Sequence, residues 1–406
     1  MAKRCKADAF EVLLIDRQNH HQFQPLFYQV ASAGLEPSSI SFPFRKLFHG
    51  QKHVDFCLAE ALEIVPSEKR LLTDAGSFYY DFLVIATGCK TNFFGNEELA
   101  SHAFSMKTTQ EAIEIRNHIL LSFEELATKG FDGQEALQNI VITGAGPTGV
   151  ELAGAFSEMK KYILPRDYPR LDFSRLTIFL LEGSPNTLNA LSDEAKQASR
   201  RYLEELGVQV KTNVVVTKYD GETVTLNNGE TIKSRNVIWA AGVTGNVIRG
   251  LSPDALVRNR YVVDRFNRVK GYDDIYAIGD IAYMVTPKYP QAHPQVANVA
   301  IHQARNLALN LYARVKSKAL REYEYKDLGS MATVGKHKAV VDLPFLRFQG
   351  RLAWFTWMFL HLMLILKVKN KLIIFINWAW SYFTNDSSLR LILKPRKEPD
   401  STGKVA

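Results

Sequence analysis

Short apolar runs punctuate this chain, and most of them end in an acid or a glycine. Phe10 to Asp16 (FEVLLID) and Phe82 to Gly88 (FLVIATG) have the texture of buried parallel strands. A polar helical stretch from about Thr108 to Thr128 separates them from a fresh start at Asn139 to Thr143 (NIVIT). That run enters Gly144 to Gly149 (GAGPTG) and then the helix-like VELAGAFSEMKKYI. LTIFLLE (176–182), a helix around 192–206, VQVKTN, a hairpin around Asp220 to Thr231 and NVIWAAG (236–242) follow. IYAIGD (275–280) is a further strand ending in an acid, with a helix from about Gln295 to Arg314 behind it. The alternation predicts an α/β chain, a βαβ unit followed by a β-meander.

Beyond Asp327 the texture changes. Residues 352–366 and 372–384 are dominated by aromatic and aliphatic side chains, with Lys367-Val-Lys-Asn-Lys371 between them. Neither run reaches the ~18 apolar residues of a spanning helix. Trp354, Trp357, Trp378 and Trp380, with Lys367, Lys369 and Lys371, are the residue types of a lipid headgroup boundary. A buried hairpin or a dimer interface would have the same composition. On the membrane reading, removing residues from about 345 onward frees an otherwise folded enzyme. The last dozen residues are charged and are expected to fray.

Composition narrows the choice. A chain of 406 residues, 46% hydrophobic and 23% charged, is globular and holds more than one domain. Its net charge of +8 suits an anionic membrane, nucleic acid, or merely a basic enzyme. Much of that charge flanks the apolar C-terminal region, which favours the membrane over nucleic acid. Cys5, Cys57 and Cys89 are far apart and form no CxxC, so neither a disulfide framework nor a metal site is expected. The N-terminus lacks the apolar core of a signal peptide.

GAGPTG is a GxGxxG with the context it needs, an apolar strand before it and a helix after it. Gly144 permits the tight turn, Gly146 admits a pyrophosphate against the backbone, and Gly149 lets helix pack on sheet. Pro147 and Thr148 open the helix, whose N-terminal N–H groups and dipole attract phosphate. Glu182, closing the next strand, can accept from an adenosine ribose and repels a 2′-phosphate, so NADH is preferred over NADPH. Its distance from Gly144 exceeds the usual ~20 residues, and an inserted loop, LPRDYPRLDFSR, accounts for the excess. Incidental glycines in a strand–turn–helix are the plain alternative.

A second nucleotide half looks beheaded. Asp16 ends its strand as Glu182 does, yet only fifteen residues precede it, and AKRCKADA reads as the tail of a helix. The expected strand and glycine turn are not there, so an N-terminal truncation is expected, with poor FAD retention as its consequence. Asp16 as a mere strand-ending acid is the alternative.

Taken together, these residues resemble the two-dinucleotide-domain flavoprotein reductases, and closely the type II NADH:quinone dehydrogenases. The carriers are LLIDRQNHHQFQPLFYQVASAG (13–34), LVIATGCKTNFFG (83–95), IVITGAGPTGVELAGAFSEM (140–159), VIWAAGV (237–243), YAIGD (276–280) and ANVAIHQA (297–304). The resemblance implies two Rossmann-like domains, an FAD domain (1–107 and 246–330) interrupted by an NADH domain (108–245), and a C-terminal membrane-associated helical region (331–406). It implies that Asp16 binds the adenosine ribose of FAD, that Ala86, Thr87 and Gly88 pass its phosphates, and that Asp280 holds its ribityl chain. Ala241 and Gly242 would lie along NADH, and Glu151 would point toward the flavin–nicotinamide region; alone, Glu151 reads as a helix N-terminal acid. ANVAIHQA resembles the family's AQxAxQ(Q/E) element beside flavin and quinone. Asn298 and His302 replace two glutamines, Gln303 follows, and an imidazole, unlike an amide, titrates near neutrality.

The implied reaction is hydride transfer from NADH to FAD, then electrons to a membrane quinone, with no route for proton pumping. The implied setting is the cytoplasmic face of a membrane, with a possible homodimer. Two alternatives stay open: an FAD/NADH oxidoreductase with another acceptor, of the sulfide:quinone reductase kind, or an inactive NADH-binding product docked on a membrane.

Overall fold

The computed structural model describes residues 1–386 and 389–393, and the charged last dozen fall outside them. In chain order the strands used below are β1 (Val12–Asp16), β2 (Val54–Leu58), β3 (Leu83–Ile85), β4 (Phe104–Ser105), β5 (Asn139–Thr143) and β6 (Thr177–Glu182). After them come β7 (Gln209–Thr212), β8 (Asn236–Trp239), β9 (Ile275–Ala277), β10 (Ser330–Thr333), β11 (Ala339–Leu343) and β12 (Leu346–Gly350). The helices are α1 (Phe27–Ala31), α2 (Thr109–Lys129), α3 (Pro147–Glu158), α4 (Asp193–Glu205), α5 (Ala297–Val315), α6 (Arg351–Leu364) and α7 (Val368–Thr384). Two compact units result: Met1–Gln22, Ser41–Asn92 and Gly242–Gly329 form the first, and Phe23–Ile40, Phe93–Ala241 and the chain from Ser330 form the second. Segment 23–40, drawn above with the first FAD segment, thus clusters with the nucleotide sheet and the C-terminal region.

The second unit is built on a five-stranded sheet in the order β4-β8-β5-β6-β7, parallel throughout. Parallel strands need cover on both faces, and the four residues Ile140 to Thr143 of β5 are all buried. Helix α2 starts at a reciprocal cap, in which Glu111 N–H donates to Thr108 Oγ1 (3.1 Å) and Thr108 N–H donates to Glu111 Oε2 (2.7 Å). Helix α3 runs into a π-helical turn, Met159–Ile163, and a short helix, Leu164–Asp167, so the stretch read as an inserted loop begins as helix. An antiparallel sheet, β10-β11-β12, leads into α6 and α7.

These last helices share one core with the nucleotide sheet. Trp357, Ile374 and Trp378 belong to the same buried cluster as Phe123, Leu152, Phe156 and Leu180. Cutting the chain near 345 would open that core, contrary to the expectation of a folded remnant. Burial of three tryptophans also corrects the headgroup reading: Trp354, Trp357 and Trp378 are buried, and only Trp380, 62% exposed, faces outward. Helical spacing explains it, since 354, 357 and 378 lie on inward stripes and 380 does not. The outward face holds Leu352, Phe355, Phe359, Met363 and Leu364 of α6 and Leu372, Phe375, Ile376 and Phe383 of α7.

In the first unit β1 pairs with β2 and β3 with β9, and a third parallel pair joins Arg260–Val263 to Ala282–Met284. Antiparallel ribbons surround them, one formed by Ala61–Val65, Arg70–Thr73 and Gly76–Tyr79. Ile64, Ile85, Tyr261, Ile275, Met284 and Val299 fill its core. Ahead of β1 the chain makes a single 3-10 turn, Ala2–Arg4, instead of a helix tail, and carries no glycine there.

Candidate functional site: two dinucleotide constellations

In the second unit β5 ends at Gly144, whose φ of +99° is a conformation L side chains rarely adopt. A Cβ there would lie 2.8 Å from the backbone of Ala240, and one at Gly149 would lie 1.8 Å from the Gly144 carbonyl oxygen. Gly146, by contrast, faces open space. The base of the turn is therefore packed shut while its crown, with Pro147 and Thr148 exposed, stays accessible. Helix α3 begins at Pro147 and leaves its first N–H groups at that crown. Glu182, at the end of β6, accepts from Ala145 N–H (2.6 Å) with one carboxylate oxygen and from Ser184 N–H (2.8 Å) with the other. The Glu182 carboxylate and the glycine turn are thus neighbours. Ala241 is half-buried just past β8.

Glu151 lies one turn into α3 and is buried, although nothing charged pairs with it among the described residues. Burial pushes its carboxyl up to about 8; Thr333 N–H (3.4 Å) and the neighbouring Trp357 offset only part of this. Thr333 Oγ1 meets the Tyr28 hydroxyl at 3.1 Å, and Gln29 Nε2 donates to that hydroxyl at 3.0 Å. Gln29 Oε1 in turn accepts from the Trp378 indole at 2.8 Å. Burial, then the nearby Glu151, hold the Tyr28 phenol far above its ordinary range. One turn of helix further on, burial raises Glu158 to about 7 despite the Lys336 N–H and charge beside it. The Lys336 ammonium reaches the end of α7, donating to Ser381 O and, at 2.8 Å, to Asn385 Oδ1. Sequence reading missed Tyr28, Thr333, Glu158 and Lys336, because only their packing against α3 marks them.

In the first unit Asp16 closes β1 half-buried, accepts from Gln18 N–H at 2.8 Å, and is shifted upward by burial. Ala86 and Thr87 are exposed, and Gly88 has φ +66° with open space beside it. Asn246 pins this turn: its carbonyl accepts from Thr87 Oγ1 (2.6 Å), its amide donates to Thr87 O (3.1 Å), and its N–H donates to Gly88 O (3.1 Å). Gly242, with φ +72°, is exposed and accepts from Asn92 N–H. Asp280 is half-buried, and Cys89 Sγ donates to its Oδ2 at 3.1 Å. On α5, Asn298 and His302 are half-buried four residues apart, on one face. Gln303 is fully buried and accepts from Gly279 N–H at 2.7 Å, which leaves it no surface to offer a quinone.

Comparison with known proteins decides the family. The family model described as pyridine nucleotide-disulphide oxidoreductase matches residues 1–304, and the NDH2 C-terminal domain matches residues 328–385. The type II NADH:quinone oxidoreductase Ndh of Mycobacterium tuberculosis is 30% identical over 403 residues, covering 94% of this chain and 85% of that protein. This chain belongs to the type II NADH:quinone oxidoreductases. The NDH2 structure from Plasmodium falciparum in complex with NADH shares the fold, with a TM-score of 0.88 at 21% identity over 96% of each chain. The sulfide:quinone oxidoreductase of Aquifex aeolicus shares it less well, with a TM-score of 0.70 at 20% identity over 93% of this chain and 90% of that one.

The type II enzymes are FAD flavoproteins that use NADH. The open crown at Gly146 fits a dinucleotide pyrophosphate, with Glu182 placed for its ribose. Asp16, the free space at Gly88 and Asp280 fit the ribose and ribityl ends of FAD. Among the described residues no helix is long and apolar enough to cross a membrane.

Proposed function

We propose that this chain oxidises NADH and delivers the electrons to a membrane quinone without pumping protons, using the residues named above in the following roles. The backbone of Gly144, Gly146, Pro147, Thr148 and Gly149 receives the NADH pyrophosphate at the start of α3, and Glu182 selects the free ribose. Ala241 and Gly242 border the same nucleotide. Asp16, Ala86, Thr87, Gly88 and Asp280 line the flavin. FAD, when bound, supplies the two-electron step that couples nicotinamide to quinone. Glu151, whose carboxyl stays protonated at neutral pH, holds a proton at its carboxylate oxygen. Asn298 and His302 offer hydrogen bonds on the quinone side.

The observation that carries this reading is the bond between Glu182 and the Ala145 N–H, because it sets a ribose acceptor against a phosphate turn. The test is turnover of membrane-bound protein with a short-chain quinone, supplied with NADH or NADPH. Comparable kcat/KM for the two nucleotides would remove the ribose assignment.

The apolar outer face of α6 and α7, with Lys367 exposed between the helices and Lys369 exposed in the first turn of α7, supports docking on a lipid surface. We read the docking face as cytoplasmic and the enzyme as a homodimer on the family resemblance. Phe355→Glu with Phe359→Glu changes only outward residues; it should release the protein from membranes and leave NADH oxidation by a soluble acceptor intact. Continued sedimentation with membranes would point the docking role elsewhere.

A further inference from the structure

Two side chains bond Asp280, and a third, wholly buried, bonds the residue before it. The Asp280 carbonyl accepts from Gln295 Nε2 at 3.0 Å, and its carboxylate accepts from Cys89 Sγ at 3.1 Å. The N–H just before it, on Gly279, donates to Gln303 Oε1 at 2.7 Å. Gly279 has φ +73°, and a Cβ at this position would lie 3.0 Å from the Ala300 methyl, so the turn presses directly on α5. A buried N–H at such a turn needs an acceptor, and leaving it without one is costly. Gln303 supplies that acceptor from one turn further along the same helix. Its other amide atom, Nε2, is buried and has no hydrogen-bond partner. The position thus uses the oxygen of the side chain and leaves the nitrogen idle.

We infer that Gln303 is a positioning residue for the flavin: by fixing the Gly279 N–H it sets where Asp280 meets the cofactor, and it touches neither flavin nor quinone itself. This rests on the reading of Asp280 as a flavin contact. It also reassigns Gln303 from the chemistry expected of it in the sequence to the support of a neighbour. The Asp280 carboxylate keeps one oxygen on Cys89, which leaves Oδ1 to accept from a ligand hydroxyl.

The experiment uses the full-length enzyme purified with FAD and measures FAD dissociation from its fluorescence on release, with the flavin visible spectrum recorded in parallel. Gln303→Asn withdraws the oxygen from Gly279 while keeping an amide, and it should weaken FAD by about tenfold or more, the scale of one unmade buried hydrogen bond. Gln303→Glu keeps an oxygen at the same reach, and burial favours its uncharged form, so affinity should return to within about threefold of the parent. In an Asp280→Asn background, Gln303→Asn should add less than about a twofold loss, because its effect passes through Asp280. Parent-like affinity in Gln303→Asn, or full additivity in the double variant, would overturn the inference and leave Asp280 its role. Parent-like affinity in Asp280→Asn would instead overturn the flavin contact itself. Should Gln303→Asn also lose NADH binding, the Gln303→Glu variant decides: affinity within threefold supports the need for an oxygen, and a loss like that of Asn refutes it.

Discussion

Strands β1 and β5 are close to twins in sequence, five residues each, mostly branched and aliphatic, each leading to a ribose-type acid or a phosphate turn. Their surroundings differ. β5 lies between β8 and β6 and is buried from its second residue to its last. β1 has one strand neighbour, β2, and every residue in it keeps some exposure, Leu13 as much as 43%. An apolar run therefore specifies a strand but not its burial; burial comes from neighbours on both edges and cover on both faces. The second unit gives its glycine turn a rigid floor, while the first unit sets its acids at the ends of two short pairs and pins the turns at Gly88 and Gly279 with Asn246 and Gln303.

The sharpest way to break this comparison is at the floor of the turn. Gly149→Val puts carbon where the Gly144 carbonyl stands, and kcat/KM for NADH should fall by about a thousandfold or more, the scale of losing nucleotide positioning. Retained turnover would show that the turn yields. Next, hydrogen exchange should find the β1 and β2 amides opening about a hundredfold more readily than those of β5 and β6. Equal protection would mean that two-stranded pairs are as firm as the five-stranded sheet. Glu182→Ala should narrow the preference for NADH over NADPH by about 1–3 kcal/mol, the range of a charge-assisted hydrogen bond.

A smaller effect concerns Glu151. A carboxyl whose folded value is raised to about 8 stabilises the fold fully below its unfolded value of 4.5, and that contribution is lost as pH rises through 8. Each tenfold preference for the protonated form is worth about 1.4 kcal/mol. Tm should therefore fall by several degrees between pH 5 and pH 9 in the parent and by less in Glu151→Gln. A parallel fall in both proteins would assign the effect to other groups, the neighbouring Glu158 first.

What the sequence made legible is local. Asn139 to Thr143, the glycine turn, Glu182 and α5 fall where periodicity and turn chemistry put them, because each is decided by residues a few places apart. The network around Glu151 was not legible, since Tyr28 meets Thr333 across 305 residues, and neither was the separate tie of Thr87 to Asn246 across 159. The four tryptophans show the same limit. Their number and spacing mark an amphipathic region, but which of them turn inward depends on a core assembled from distant segments. Gln303 came from a motif on one helix, whereas its burial and its bond to Gly279 N–H depend on a turn 24 residues away.

The second unit is stitched from three stretches of chain, and the last begins at Ser330. During synthesis its sheet and helices α2 and α3 leave the ribosome long before Trp357, Ile374 and Trp378 exist to complete their core. Until then Leu152 and Phe156 have an unfinished apolar wall, the kind of surface on which nascent chains aggregate or recruit chaperones. The segment proposed to dock on a bilayer is also the one that finishes this unit's core. Emergence of residues 357–378, and not of the glycine turn alone, therefore completes the core beneath that turn.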